Sequence, residues 1–138
     1  MLKQETGGAI VNVGSIAGES AMGRGNFMYS CAKAGVHEMT KELAVEYAWA
    51  NIRVNAVLPA QVNTPGVRLL LDNPQFKDVI LPIILGGIPM QRMLEPEEIA
   101  HPVVFLCSEA ASAVTGVLLP VDGGNLAMNA GGSHTWPE

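Results

Sequence analysis

The sequence predicts an α/β fold built on a parallel sheet. Three short, largely apolar runs alternate with longer segments whose apolar residues recur at helical spacing. An order of strand, helix, strand, helix, strand is typical of parallel sheets with helical crossovers. The 138 residues can form one compact domain with a core, but not two. We therefore expect residues 1–138 to form a single domain.

The three predicted strands differ in how they end. The first, residues 8–13, is almost continuously apolar, as is typical of a parallel strand buried on both faces. The second covers residues 52–57 and is stopped by Pro59. The third, residues 117–121, runs into the turn signal Asp-Gly-Gly.

Two longer helices connect these strands. The first is predicted over residues 28–48 because apolar residues recur there every three or four positions: Met28, Ala32, Val36, Met39, Leu43 and Tyr47. An irregular segment, residues 61–93, contains four prolines and is expected to hold short helices. Glu95-Pro96-Glu97-Glu98 then opens a helix to about Ser108, since proline and acidic residues favour a first turn. The glycine-rich tail beyond Asn125 is expected to be loosely held.

Composition excludes several classes of function. The chain is 49% hydrophobic and 15% charged, a balance typical of folded proteins. Its net charge of -5 argues against a nucleic-acid partner. No basic amphipathic stretch, signal peptide or apolar run of about 18 residues indicates a membrane. The sequence favours a cytoplasmic protein.

The cysteines and histidines do not form a recognisable metal site. Cys31 and Cys107 lie outside any CxxC motif and are expected to be buried free thiols. His37, His101 and His134 lack metal-ligand spacing, so surface or capping positions are expected for them. No metal is predicted.

The pair most suggestive of chemistry is Tyr29 and Lys33. Four residues apart on a helix, they share one face, with β-carbons about 5–6 Å apart. A free tyrosine has a pKa of about 10 and is a poor base at neutral pH. A neighbouring positive charge favours the phenolate, which can exchange a proton with an alcohol or carbonyl oxygen. Because the pattern is short, it is weak evidence alone.

Ser15 strengthens this interpretation because it directly follows the first strand. The carboxyl ends of parallel strands share one edge, so Ser15 and residues 59–64 should lie close together. The Ser15 hydroxyl there would hydrogen-bond the same substrate oxygen and stabilise developing charge. The alternative is a serine that satisfies loop backbone. A serine hydrolase is disfavoured because its G-x-S-x-G motif needs glycine at Val13.

Four stretches resemble the carboxy-terminal half of the short-chain dehydrogenase/reductase family. They are IVNVGSIAG from Ile10, YSCAKAG from Tyr29, IRVNAVLP from Ile52 and VLLPVDGG from Val117. The resemblance runs from about Lys3 to Asn125. It implies a partial Rossmann-like, doubly wound parallel sheet made of the family's last three strands and their helices.

The resemblance also implies an activity, namely hydride transfer between NAD or NADP and an alcohol or ketone. Tyr29 would be the general acid/base. Lys33 would favour its phenolate and hydrogen-bond the nicotinamide ribose. Ser15 would hold and polarise the substrate oxygen.

A loop resembling the family's PGxxxT stretch would bind the nicotinamide carboxamide through backbone groups and a threonine hydroxyl. Its expected cofactor-binding residues are Pro59, Ala60, Val62 and Thr64. Ala60 stands where the family has glycine, and it is tolerated only if its φ stays negative. The apolar residues between Val67 and Met93 fall where the family has a substrate-covering loop. They either line a pocket, mildly favouring an apolar substrate, or pack short helices together.

Parts of the family pattern would precede Met1. These are the glycine-rich dinucleotide fingerprint, the residue that distinguishes NAD from NADP, and an asparagine of the catalytic tetrad. We therefore expect the chain alone to turn over slowly or not at all, as a truncated enzyme or with a separate amino-terminal half. The first strand would have a bare edge, which is an association or aggregation hazard. The resemblance also implies that the helix over residues 28–48 helps form a subunit-pairing bundle, so a homo-oligomer is expected. Two alternatives stay open: a non-catalytic fragment keeping only a self-association surface, and an epimerase or lyase on the same fold.

Overall fold

The computed structural model describes residues 1–23 and 25–129 and shows helices packed on a three-stranded parallel sheet. Strands β1 (Gly8–Val13), β2 (Ile52–Pro59) and β3 (Leu118–Val121) lie in the order β1-β2-β3. The helices are α1 (Phe27–Tyr47), α2 (Pro65–Leu70), a π-helical turn (Phe76–Ile80), α3 (Leu81–Gly86) and α4 (Pro96–Cys107). The α/β fold and the parallel sheet expected from the sequence are thereby confirmed.

The element bounds agree with the sequence to within two residues. Strand β2 runs on to Pro59 instead of stopping at Val57, and Pro59 pairs with Val121 of β3. Proline lacks only the N–H donor, so it is tolerated where a strand ends. The residues that close the chain, 130–138, lie outside the described part, and so do His134 and most of the predicted loose tail.

Strand β2 is the buried centre of the sheet. Val54, Ala56 and Val57 are completely inaccessible to solvent. Ala44 of α1 packs against Ile52 and Val54 on one face. On alternate residues the side chains point to the other face, where Arg53 contacts the end of α4. Helices therefore cover both faces of β2.

Strand β1 corrects one expectation, since it is not buried on both faces. Ile10 is 37% exposed and Val13 is 55% exposed. Within the described residues β1 pairs only with β2, so one of its edges has no neighbouring strand. An apolar run is typical of a strand covered on both faces, and the exposure of these two side chains shows that the described residues cover β1 incompletely.

Two polar side chains of β2 organise the connection from α4 to β3. Asn55, completely buried, donates to the Val114 carbonyl at 2.9 Å and accepts from the Val117 amide at 3.1 Å. Arg53 donates to the carbonyls of Leu106 and Ser108 at 2.6 and 3.1 Å. Carbonyls at a helix end lack intrahelical partners, so Arg53 satisfies groups that α4 leaves open.

Helix α1 buries a face that overlaps only partly with its apolar positions. Its buried residues are His37, Thr40 and Ala44. Of the apolar positions, Leu43 and Tyr47 pack against the core beside Ala44, whereas Met28 is 78% exposed and Met39 is 44% exposed. Polar residues therefore share the inward face of α1 with apolar ones.

The two cysteines are exposed, which corrects the expectation of buried thiols. Cys31 lies on the open side of α1, and Cys107 is the last residue of α4. No helix within residues 1–23 and 25–129 has the length and apolar character needed to cross a bilayer.

Helix α4 begins with a reciprocal set of bonds at its amino terminus. The Glu98 carboxylate accepts from the Glu95 amide at 2.8 Å, and Arg92 binds both of its oxygens at 2.7 and 2.8 Å. The Arg92 hydrogen bonds, followed by the Glu95 amide, lower the pKa of Glu98 from its ordinary 4.5 to about 2.

We expect Asn55→Ala to lower the free energy of unfolding, because it strands the Val114 carbonyl and the Val117 amide without partners. Each unsatisfied buried group costs about 1–3 kcal/mol. Urea unfolding followed by circular dichroism measures the loss. Asn26→Ala is the matched control, because Asn26 makes no side-chain capping bond. Equal midpoints for the two variants would contradict the role given to Asn55.

We expect the Glu98 contacts to make stability depend on pH. The folded pKa is depressed, so the stabilisation is complete above about pH 4.5 and is lost as pH falls towards about 2. Glu98→Gln should flatten the fall in unfolding free energy over that window, as measured by urea titration at several pH values. Glu97→Gln, in the same first turn, is the control. A parent and Glu98→Gln that lose stability in parallel would refute this assignment.

Candidate active site

The carboxyl ends of β1 and β2 form one wall of a cleft of ≈ 430 Å³. Ser15, just after β1, lies on this cleft together with Tyr29 of α1 and with Pro59 and Ala60 at the end of β2. The chain thus brings together residues from three separate sequence stretches, as the parallel topology requires.

Tyr29 and Lys33 are held against the end of β1. The Lys33 ammonium donates to the Val13 carbonyl at 2.9 Å and lies 5.7 Å from the centroid of the Tyr29 ring. This distance is within the range of a cation–π contact. Tyr29 is 49% exposed, so its ring is accessible to a ligand in the cleft.

Ser15 is buried, and its hydroxyl already has one partner. The Oγ accepts from the Ala17 amide at 3.1 Å and caps the short 3-10 turn Ile16–Gly18. A hydroxyl carries one donor and two lone pairs, so this bond leaves the proton free to donate. The loop-satisfying use and a substrate-binding use are therefore compatible in the same side chain.

The loop after β2 divides into two parts. Ala60 lines the cleft, and its φ is not among the positive values found for non-glycine residues of the described chain. Alanine is therefore accommodated without strain at this position. Val62 instead pairs with Leu94 in a parallel bridge, and the Thr64 hydroxyl accepts from the Val67 amide at 3.4 Å as the cap of α2. Neither Val62 nor Thr64 lines the cleft.

The sequence indicated only some of the other residues that line the cleft. From the irregular segment, the cleft takes Ile83 and Ile84 of α3 and Ile88 just beyond it. Asn125 also lines it, and its amide donates to the Gly87 carbonyl. The lining mixes these apolar residues with polar ones, Ser20 and Gln61 among them.

The turn that carries Asn125 is held by Asp122. The Asp122 carboxylate, which is buried, accepts from the amides of Gly124 and Leu126 at 2.9 and 2.7 Å. The Asp-Gly-Gly signal predicted a turn here, and its position after a third parallel strand is the signal that could have placed it at the same edge as Ser15.

His37 corrects the expectation of a surface or capping histidine. It is only 2% exposed and lies directly behind Ser15. Its Nδ1 is 2.8 Å from Glu19 Oε1. Gly14 and Gly18 on either side of Ser15 leave room for the ring, a signal that only the folded chain makes readable.

Known proteins resemble this chain in both sequence and fold. Residues 1–125 match the family model described as enoyl-(acyl carrier protein) reductase. The solved structure of an oxidoreductase of the short-chain dehydrogenase/reductase family from Burkholderia thailandensis superposes with a TM-score of 0.80 and 37% identity, over 94% of this chain. The chain belongs to the short-chain dehydrogenase/reductase family.

Several other members of the short-chain dehydrogenase/reductase family are similar over the same region. Galactitol 2-dehydrogenase of Rhizobium johnstonii is 43% identical over 118 residues, and cis-4-hydroxycyclohexanecarboxylate dehydrogenase of Sinomonas cyclohexanicum is 45% identical over 122. The structure of ElxO with NADP bound superposes with a TM-score of 0.83 and 33% identity, over 93% of this chain.

The similarity covers most of this chain but not most of its relatives. The two dehydrogenases are matched over 85% and 88% of this chain, but over only 44% and 46% of their own lengths. For the Burkholderia thailandensis and ElxO structures the matched share is 48% and 50%. The chain therefore spans about half the length of these short-chain dehydrogenases.

Proposed function

We propose that the chain carries the proton-transfer half of an oxidoreductase that moves hydride between NAD or NADP and the hydroxyl or carbonyl carbon of a small molecule. The observation that carries this proposal is the meeting of Ser15 and Tyr29 in one cleft, with Lys33 5.7 Å from the Tyr29 ring. The relatives named above as dehydrogenases support the reaction class.

In this proposal Tyr29 is the general acid/base. Its half-exposed ring faces a cleft that can hold the substrate oxygen. The Ser15 hydroxyl donates to the same oxygen while its lone pair keeps the Ala17 contact. The positive charge of Lys33 stabilises negative charge that builds up on the phenol oxygen during transfer.

The residues present fit the nicotinamide end of the cofactor. An ammonium has three donors, and Lys33 uses one on the Val13 carbonyl, so two remain for a ribose. Among the described residues, the backbone amides of Ala60 and Val62 donate to no protein acceptor. They are suited to a carboxamide oxygen, with Pro59 and Thr64 holding the loop in place. When bound, NAD or NADP would supply the hydride acceptor or donor.

The substrate is proposed to be a small alcohol or ketone with both polar and apolar parts. The cleft volume of ≈ 430 Å³ is in the range of small-molecule sites. Ile83 and Ile84 offer an apolar wall, whereas Gln61 and Asn125 offer hydrogen-bonding groups. This mixed lining adds polar groups to the mild apolar preference suggested by the sequence.

Tyr29→Phe is expected to abolish turnover without abolishing cofactor binding. Because the chain spans about half of its relatives, it is best assayed both alone and fused to the amino-terminal half of the Rhizobium johnstonii dehydrogenase. In the fusion, nicotinamide absorbance with a panel of alcohols and ketones should show kcat lowered about 10²–10⁴-fold by the substitution. Tyr47→Phe changes the only other tyrosine and is the control.

Two results would contradict the proposal. One is a fusion whose turnover survives Tyr29→Phe. The other comes from the 138-residue chain itself, titrated with NADP and NAD while its amide resonances are recorded. If the amide resonances of Lys33, Ala60 and Val62 do not shift in that titration, the proposed nicotinamide site is contradicted.

A second candidate, a fragment that acts through self-association, is favoured by exposed apolar residues on α1 and just after it. Met28 and Val45 of α1 are 78% and 81% exposed, and Trp49, in the short turn that follows α1, is 80% exposed. Large apolar side chains left exposed are candidates for an interaction surface. This candidate needs no cofactor, so nucleotide titration separates it from the first.

Association through this surface is expected to depend on Val45 and Trp49. Sedimentation of the chain should show a concentration-dependent dimer that the double variant Val45→Glu, Trp49→Glu converts to monomer. Leu69→Glu, which changes an equally exposed apolar residue on α2, should leave the dimer intact. A parent chain that stays monomeric at every concentration would exclude self-association.

A further inference from the structure

A buried histidine behind the cleft has no part in the proton transfer described above. His37 lies on α1, one helical turn after Lys33, with its ring between Gly14 and Gly18. A β-carbon added to Gly14 would come within 2.6 Å of His37 Nε2, and one added to Gly18 within 2.8 Å of Nδ1. The turn that carries Ser15 is therefore wrapped around this imidazole.

The hydrogen bonds of His37 define which ring nitrogen carries its proton. The Ser15 backbone amide donates to Nε2 at 3.4 Å, so Nε2 must be an acceptor. A neutral imidazole has one acceptor and one donor, which puts the proton on Nδ1. Glu19 Oε1, 2.8 Å from Nδ1, is the matching acceptor.

We infer that His37, fixed in its Nδ1–H form by Glu19, is a positioning residue for Ser15. This inference rests on the proposed function only in giving Ser15 a substrate oxygen to hold. Its geometry is independent of that role. The chain of contacts runs from Glu19 through the ring to the Ser15 amide, and then within Ser15 from its backbone to the Oγ that also binds Ala17.

Both the backbone amide and the side-chain hydroxyl of Ser15 are therefore restrained beside the cleft. The His37 contact fixes the backbone amide, and the Ala17 amide takes up a lone pair of the hydroxyl. The remaining donor of that hydroxyl is the part available to a ligand beside Tyr29. Without the His37 acceptor, the amide would lose its only partner in the described chain, and the turn would loosen around it.

The first test reads the tautomer directly in the full 138-residue chain. Two-bond ¹⁵N–¹H correlation spectra of its histidines should show His37 Nδ1 protonated and Nε2 unprotonated. Glu19→Ala should mix the two forms, whereas Glu46→Ala, an exposed glutamate elsewhere on α1, should not. A His37 protonated on Nε2 in the parent chain would overturn the inference.

The second test compares two substitutions of His37. His37→Gln keeps an acceptor near the Nε2 position, and His37→Leu fills the space without one. Hydrogen exchange at the Ser15 amide should be about fivefold faster in the Leu variant and close to the parent rate in the Gln variant. Equal exchange in both variants would overturn the inference, as would failure of Gln to restore protection. His101→Gln controls for loss of an exposed histidine.

These readings need no turnover, so they stand or fall separately from the proposed function. Where the fusion described above is active, His37→Leu should lower kcat with the KM for the cofactor unchanged, and His37→Gln should recover most of it. A fusion with no activity in any form would count against the proposed function and leave the tautomer and exchange results to decide the role of His37. If the Leu variant does not fold, the tautomer of the parent chain still decides.

Discussion

Parallel pairing of β1 with β2 brings the residues that follow the two strands to a single edge of the sheet. The register sets Val13 beside Val57, and the Gly14 amide extends the ladder by donating to the Val57 carbonyl at 2.9 Å. This pairing places Ser15 next to Pro59, although the two residues are far apart in sequence. The register depends in turn on β2 staying buried between two partners. Asn55 secures the second partner by binding both sides of the connection that leads into β3.

Helix α1 contributes Tyr29 and Lys33 to the site, and polar contacts hold one of its faces against the end of β1. Lys33 reaches the Val13 carbonyl, and His37 meets the Ser15 amide one turn later. Thr40 then accepts from the side chain of Asn12 at 2.9 Å. Along this face of α1, Tyr29 is exposed at the cleft, whereas Thr40 is buried and contacts the sheet. Rotating α1 about its axis would break all three contacts.

These polar contacts of α1 explain which features of the fold and site the sequence could predict and which it could not. The strands and the Tyr29–Lys33 pair were predictable because they depend on local pattern: continuous apolar runs and a fixed spacing. The polar residues on the inward face of α1 could not be predicted, because apolar periodicity does not register hydrogen bonds to groups on another element. His37 was missed for a related reason, since the space for its ring is made by Gly14 and Gly18. The exposure of Ile10 and Val13 was missed because a run of apolar residues does not say which elements cover the two faces of a strand.

The contacts that hold Ser15, Tyr29 and Lys33 differ from the surfaces that the described chain leaves open. Every restraint on Ser15, Tyr29 and Lys33 described here comes from residues within the half that matches the relatives. The arrangement of these three side chains is therefore set by contacts within this chain. By contrast, the open edge of β1 and the exposed apolar side of α1 are surfaces that a further strand, a helix or a second chain would cover. Such a partner can cover these surfaces without rebuilding the turn around Ser15, because Ser15 is held by Ala17 and His37.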